Sequence, residues 1–257
     1  MGRTMTSDMR VDHGRMLEAL GIEGRLLVAA TRDADPDVPV PGASGRTVRE
    51  TVLHLGDLYE DALSWLRAPG PPPRQASGAS LDAATDRLTA RLADLLADFG
   101  TRHSGQPCLT WWPEDRTVGF WLRRMVHATA LHRIDVQSAA GIDVTAIEPD
   151  IALDGIDEAL TVWFGYRLTV LGIRPARVCS VQVRAGDRRW LVTTGSTRGA
   201  VTRLGVTAQS TEDGSIDGDP QTVFLWLWGR MPDRVVRPTG DLDAIAQLWG
   251  LLRLATG

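Results

Sequence analysis

The hydrophobic pattern of this chain changes period partway along, and that change limits the fold more than any other feature. Up to about Tyr166, apolar residues recur at helical spacing. From Arg177 to Gly186 (RVCSVQVRAG) they alternate, as in a strand with one buried face. The early segments therefore predict an all-helical unit, and the later ones a small α+β unit. The expected boundaries are residues 1–145 and 146–257.

The helical half divides at its loops. Val11, Leu17, Leu20, Leu26 and Leu27 mark a first helix from about Asp8 to Arg32, followed by a Pro- and Gly-rich loop to Arg46. A second helix opens at Thr47-Val-Arg-Glu50, a capping box whose hydroxyl and carboxylate each satisfy a free backbone amide. Its stripe is Val48, Val52, Leu55, Tyr59 and Ala62, with His54 beside it. A second loop spans Ala68 to Gly78. Ser80 caps a third helix, with Leu81, Leu88, Leu92, Leu95 and Phe99 as its stripe and Gly100 at its end. A fourth runs from about Thr117 to Ala140 and carries Trp121, Met125, Ala128, His132 and Asp135 on one face. Four such helices predict a four-helix bundle.

The second half begins with a helix around Ile151 to Tyr166. Strands are expected at Arg177–Gly186, Arg188–Thr194 and Ala200–Thr207. Asp219-Pro220 starts a helix that Gly229 ends. A short strand at Val235–Arg237 and a last helix from Asp241 to Leu254 complete the reading.

Composition excludes several functions. Net charge is −4, which argues against a nucleic-acid surface or a polybasic membrane contact. All 28 basic residues are arginine, so no side chain can form a lysine Schiff base. Cys108 and Cys179 stand far apart, with no Cys-x-x-Cys, and read as small buried residues. No apolar run reaches the roughly 18–20 residues of a membrane span, and the first residues lack a signal core. A cytoplasmic protein is expected.

Two histidines on two helices are the raw material of a metal site in a bundle, and His54 and His132 are the candidate ligands. A catalytic site needs about three protein ligands and an open position. One turn before His132, where a helical partner would sit, the residue is Ala128. Asp57 and Asp135, each three residues after a histidine, are possible substitutes. His127 points elsewhere. A lone helical histidine is more often hydrogen-bonded or exposed than metal-bound, and His13 and His103 receive only that reading. Arg230, after the glycine in LWLWGRMP, suits a carboxylate clamp or a helix C-cap. Trp111-Trp112 and Trp226/Trp228 suit core packing or a pocket wall.

Taken together, these residues resemble the mycothiol-dependent maleylpyruvate isomerase family, over nearly the whole chain. The marks are VPVPGASGRTVRETVLHL (Val38 to Leu55), RRMVHATALHRID (Arg123 to Asp135), FLWLWGR (Phe224 to Arg230) and Gly240-Asp241. The resemblance implies a DinB-like bundle followed by a domain like that of sterol carrier proteins. It also implies a divalent metal, usually zinc, at positions matching His54, Ala128 and His132, and a role for Arg230 in activity. The co-substrate would be mycothiol, the low-molecular-weight thiol of actinobacteria, whose thiolate adds to an electrophile for isomerisation or S-transfer.

The sequence departs from that pattern where the glutamate ligand is Ala128 and where the loop before helix two reads Ala43-Ser44-Gly45-Arg46-Thr47. The expectation is thus a metal-dependent, mycothiol-using isomerase or S-transferase acting on a small electrophilic carboxylate. The rivals are a metal-free member that binds or transforms a small organic molecule in the same inter-domain pocket, and a non-catalytic binding protein.

Overall fold

The computed structural model describes residues 11–42, 45–67, 79–195, 199–205 and 208–256. Four helices come first: α1 (His13–Ala30), α2 (Val48–Arg67), α3 (Leu81–Gly100) and α4 (Val118–Ala139). Their starts follow local chemistry. The Asp12 side chain accepts from the Arg15 amide at 3.0 Å. Thr47 and Glu50 form the expected reciprocal box, with amide contacts of 2.9 and 3.3 Å. Ser80 accepts from the Ala83 amide at 3.2 Å. The expected first turn at Asp8 and the loop from Ala68 to Gly78 lie outside the described residues.

Helix α4 is the spine. It packs on α1 and α2, and it is buried on every face from Phe120 to Gln137. Most of its polar side chains are therefore paired inside. Tyr59 and Thr129 share a 2.6 Å hydrogen bond, and Arg133 donates to Glu23 at 2.7 Å. The apolar filling comes from Leu20, Leu27, Leu55, Leu88, Leu95 and Phe99, all buried. Burial of each is worth about 1.5–3 kcal/mol.

The second half is a five-stranded sheet with helices against it. The strands are β1 (Cys179–Ala185), β2 (Arg188–Thr194), β3 (Gly199–Leu204), β4 (Gly214–Gly218) and β5 (Arg237–Gly240), in the order β3-β2-β1-β4-β5. Only β1 and β4 pair in parallel. Register places Val183 beside both Trp190 and Ile216, and Val181 beside Val192, which makes one continuous buried face. Helices α7 (Pro220–Leu227) and α8 (Leu242–Thr256) complete this half. Among the described residues no helix is long and apolar enough to cross a membrane.

Three local expectations need correction. The helix expected over Ile151–Tyr166 is α5 (Pro149–Glu158), a π-helix over Ala159–Arg167 and a last turn α6 (Leu168–Val170). Hydrophobic spacing does not separate an α turn from a π turn. The strand expected at Val235–Arg237 is a 3-10 turn over Asp233–Val235 followed by β5. Strand β4 (GSIDG) escaped notice because glycine and aspartate are poor strand formers; its place is fixed by tertiary pairing with β1.

The two halves are welded by buried charge. From α4, Arg123 reaches Asp154 and, at 2.9 Å, Asp157; Arg124 and His127 both reach Glu158. Arg203 of β3 donates to the same Asp157 at 2.6 Å, and the Trp190 indole donates at 3.0 Å. The π-helix lies over β3, and Gly199 is what lets it: a Cβ there would stand 2.3 Å from Phe164.

Candidate functional site

A cavity of about 570 Å3 opens where α2 and α4 meet the second half. Helical periodicity builds two of its walls. His54, Leu58, Asp61 and Trp65 come from one face of α2, and Trp121, Met125, Ala128 and His132 from one face of α4. The π-helix adds Trp163 and Arg167, and the end of α7 adds Trp228 and Arg230.

The structure brings His54 and His132 together. Their ring centroids stand 5.4 Å apart at 85°. Beside them, Arg230 grips Asp135 with a two-pronged contact, Nε to Oδ1 at 3.1 Å and Nη2 to Oδ2 at 2.8 Å. Its third prong, Nη1, donates to the Trp228 carbonyl at 2.8 Å. The backbone aims this side chain. Gly229 adopts φ 70°, and the Arg230 amide returns to the Leu225 carbonyl at 2.8 Å, a Schellman ending of α7.

Electrostatics follow from burial. His132 is held below the ordinary imidazole range chiefly by desolvation, with the Arg230 and Arg46 charges adding to the depression and Asp135 opposing it. Burial alone would raise Asp135, but the neighbouring His132 imidazole and the hydrogen bonds and charge of Arg230 hold its carboxyl below the usual range. The His132 Nδ1 lies 3.4 Å from Asp135 Oδ2, long for a hydrogen bond, and is otherwise an unsatisfied buried nitrogen.

Do these residues fit the metal that the resemblance implies? Two imidazoles on one tetrahedral ion would hold their centroids about 5 Å apart, close to the observed spacing. The donor set stops there. Ala128 lines the cavity between them and offers no ligand. Both Asp135 oxygens are committed to Arg230. Asp57 turns to α3, where it accepts from Arg87 at 2.9 Å. Among the described residues no group of three or more His, Cys, Asp or Glu is placed to hold a metal ion. The residues present do not fit a three-ligand centre.

Other candidates fall outside the cavity. His127 is fully buried in the weld between the halves. His13 is occupied by Ser104 at 2.8 Å and the Phe99 carbonyl at 2.9 Å. Burial pushes the Cys108 thiol up to about 11, and the buried Cys179 sulfur lies 3.3 Å from the Thr194 hydroxyl. Of the tryptophans singled out, Trp111 and Trp228 reach the cavity wall; Trp112 and Trp226 pack in the core. Sequence reasoning missed Trp65, Arg124, Trp163 and Arg167. Helical spacing offered a signal for each: Trp65 shares the α2 face of His54, Arg124 stands four before Ala128, and Trp163 and Arg167 are four apart.

Comparison with known proteins agrees with this architecture. Residues 17–137 match the family model of the mycothiol maleylpyruvate isomerase N-terminal domain. The solved structure of a mycothiol-dependent maleylpyruvate isomerase aligns over 90% of this chain and 95% of its own, with TM-score 0.59 and 15% identity. A histidine-to-alanine variant of that enzyme aligns over the same shares, with TM-score 0.59 and 14% identity. At such identities the likeness concerns the fold. No curated protein matches the chain. The likeness to the mycothiol maleylpyruvate isomerase N-terminal domain thus covers residues 17–137, just under half of the chain, and the likeness in fold covers most of it.

Proposed function

We propose that the protein is a thiol-using isomerase or S-transferase for a small electrophilic carboxylate, with mycothiol as co-substrate. The observation that carries this reading is the convergence of His54 and His132 on one cavity, 5.4 Å apart, beside the Asp135–Arg230 pair. The likeness of residues 17–137 to the mycothiol maleylpyruvate isomerase N-terminal domain supports the choice of thiol.

Because the donor set does not fit a metal, the steps belong to the chain's own side chains. An imidazole of the pair takes the thiol proton. The resulting thiolate lies within the field of the cavity's arginines, and positive charge nearby stabilises a thiolate. Its sulfur adds to the electrophilic carbon, and the electron pair moves onto the conjugated carbonyl. Collapse after bond rotation expels the thiolate and yields the isomer; proton capture instead leaves the S-adduct. Arg230 and Asp135 act as positioning residues that fix His132.

Purified protein with mycothiol should isomerise maleylpyruvate, or conjugate chlorodinitrobenzene, only when the thiol is present. Turnover that ignores the thiol, or none with either electrophile, would sink the reading. Ala128 favours one rival, a metal-free member that binds or transforms another small organic molecule in this cavity. Saturable ligand binding with no thiol-dependent turnover is its signature.

A further inference from the structure

The cavity wall is unusual in composition. Trp65, Trp111, Trp121, Trp163 and Trp228 line it, five of the nine tryptophans in the chain. Four arginines face one carboxylate, Asp61. The arginines are not equivalent. Arg230 is committed to Asp135. Arg124 donates to Glu158 and lies over two rings, 5.0 Å from the Trp163 centroid and 5.6 Å from that of Trp228. Arg46 lies near enough to His132 for its charge to bear on that imidazole. Arg167, at the end of the π-helix and half-buried, has no side-chain partner among the described residues.

A guanidinium placed at a cavity wall without a counter-ion is a receptor for a carboxylate, which it meets through two parallel hydrogen bonds. What surrounds it is aromatic. Trp163, one π-helical step away, stands edge-on to Trp111 at 6.1 Å and to Trp228 at 5.5 Å. Trp111 in turn stacks on Tyr166 at 6.3 Å and 18°. Rings favour other rings by stacking and edge contacts worth about 0.5–1.5 kcal/mol each beyond area burial. A cavity of about 570 Å3 sits mid-range for organic ligands and is large for a short aliphatic acid alone. The nine-residue π-helix is itself rare, and such turns cluster at functional sites.

We propose that this site binds an aromatic carboxylate, its ring against Trp111 and Trp163 and its carboxylate on Arg167. The assignment rests on reading the cavity as the substrate site, and makes Arg167 the residue that selects for charge.

Naphthoate, uncharged naphthamide and octanoate, titrated calorimetrically into the full chain without thiol, test it. Naphthoate should bind at least tenfold tighter than either control. Arg167→Gln should erase the preference for acid over amide while leaving amide affinity unchanged. Trp163→Leu should weaken acid and amide by a similar factor. Equal affinity for acid and amide, a preference that survives Arg167→Gln, octanoate binding as tightly as naphthoate, or no binding at all would each overturn the proposal. Thermal melts of both variants confirm folding; because Arg167 has no side-chain partner among the described residues, its variant should melt as the parent does. Binding is read without turnover, so its failure is distinguishable from failure of the thiol reading.

Discussion

Arg230 and Asp135 are 95 positions apart in sequence, yet they meet through two hydrogen bonds of 3.1 and 2.8 Å at the edge of the cavity. One residue ends a helix of the α+β half and the other lies on the central helix of the bundle. Their pairing therefore ties the orientation of His132 to the packing of the two halves. Asp135 is almost fully buried, so removing its partner leaves a desolvated charge. Arg230→Gln should cost about 3–5 kcal/mol of stability, and Arg230→Lys less, because the ammonium keeps the charge but loses the fork. Urea unfolding of both variants checks this. A loss under about 1 kcal/mol would mean that Asp135 rehydrates when freed.

Restoring the missing donor tests the histidine geometry. With His54 and His132 already 5.4 Å apart, Ala128→Glu supplies a third ligand one turn before His132. Zinc affinity, measured by titration calorimetry on chelator-treated protein, should rise by on the order of a hundredfold or more over the parent. No gain would show that the two imidazoles turn their nitrogens to different points.

Much of this arrangement was legible in the chain because it depends on local rules. The Thr47–Glu50 box, the Ser80 cap, the Asp219-Pro220 start and the α4 face bearing Trp121, Met125, Ala128 and His132 are set by residues within a few positions of one another. The rest depends on distant partners. Nothing near Asp57 announces that Arg87 of the next helix will claim it, and nothing near Arg230 announces Asp135. The π-helix was invisible for a related reason: over nine residues, hydrophobic spacing does not separate an α turn from a π turn. Strand β4 exists through its pairing with β1, not through its own propensity.

The weld between the halves sets the acid limit of the fold. Burial alone would raise Glu158 above its ordinary value of 4.5, but Arg124, His127 and Arg123 outweigh burial and hold it well below. A carboxyl with a depressed folded pKa binds fewer protons folded than unfolded, so stability rises with pH. Its contribution is complete above about 4.5 and is lost as pH falls from there through the folded value. Glu158→Gln should therefore be less stable at neutral pH and show a shallower fall in acid, measured by urea midpoints across that window. The slope should flatten and not vanish, because Asp135 and Asp157 are depressed as well.

Gly155 offers the sharpest test of packing between α5 and α7. In most helices Gly→Ala stabilises by about 1 kcal/mol through backbone entropy. Here a Cβ would stand 2.5 Å from Phe224 Cε2 and 2.9 Å from Cδ2, inside any tolerated contact. Phe224 is itself buried, so the ring has little room to retreat, and overpacking of this kind costs about 1–3 kcal/mol. The clash should win or nearly cancel the propensity gain, leaving Gly155→Ala neutral to about 2 kcal/mol destabilised. Phe224→Leu removes the ring edge, so the double variant should be more stable than the two single losses predict, by about 1 kcal/mol. Urea unfolding of the four proteins gives that coupling directly. A stabilised Gly155→Ala, or strict additivity with Phe224→Leu, would mean that the two helices can part enough to admit a methyl group.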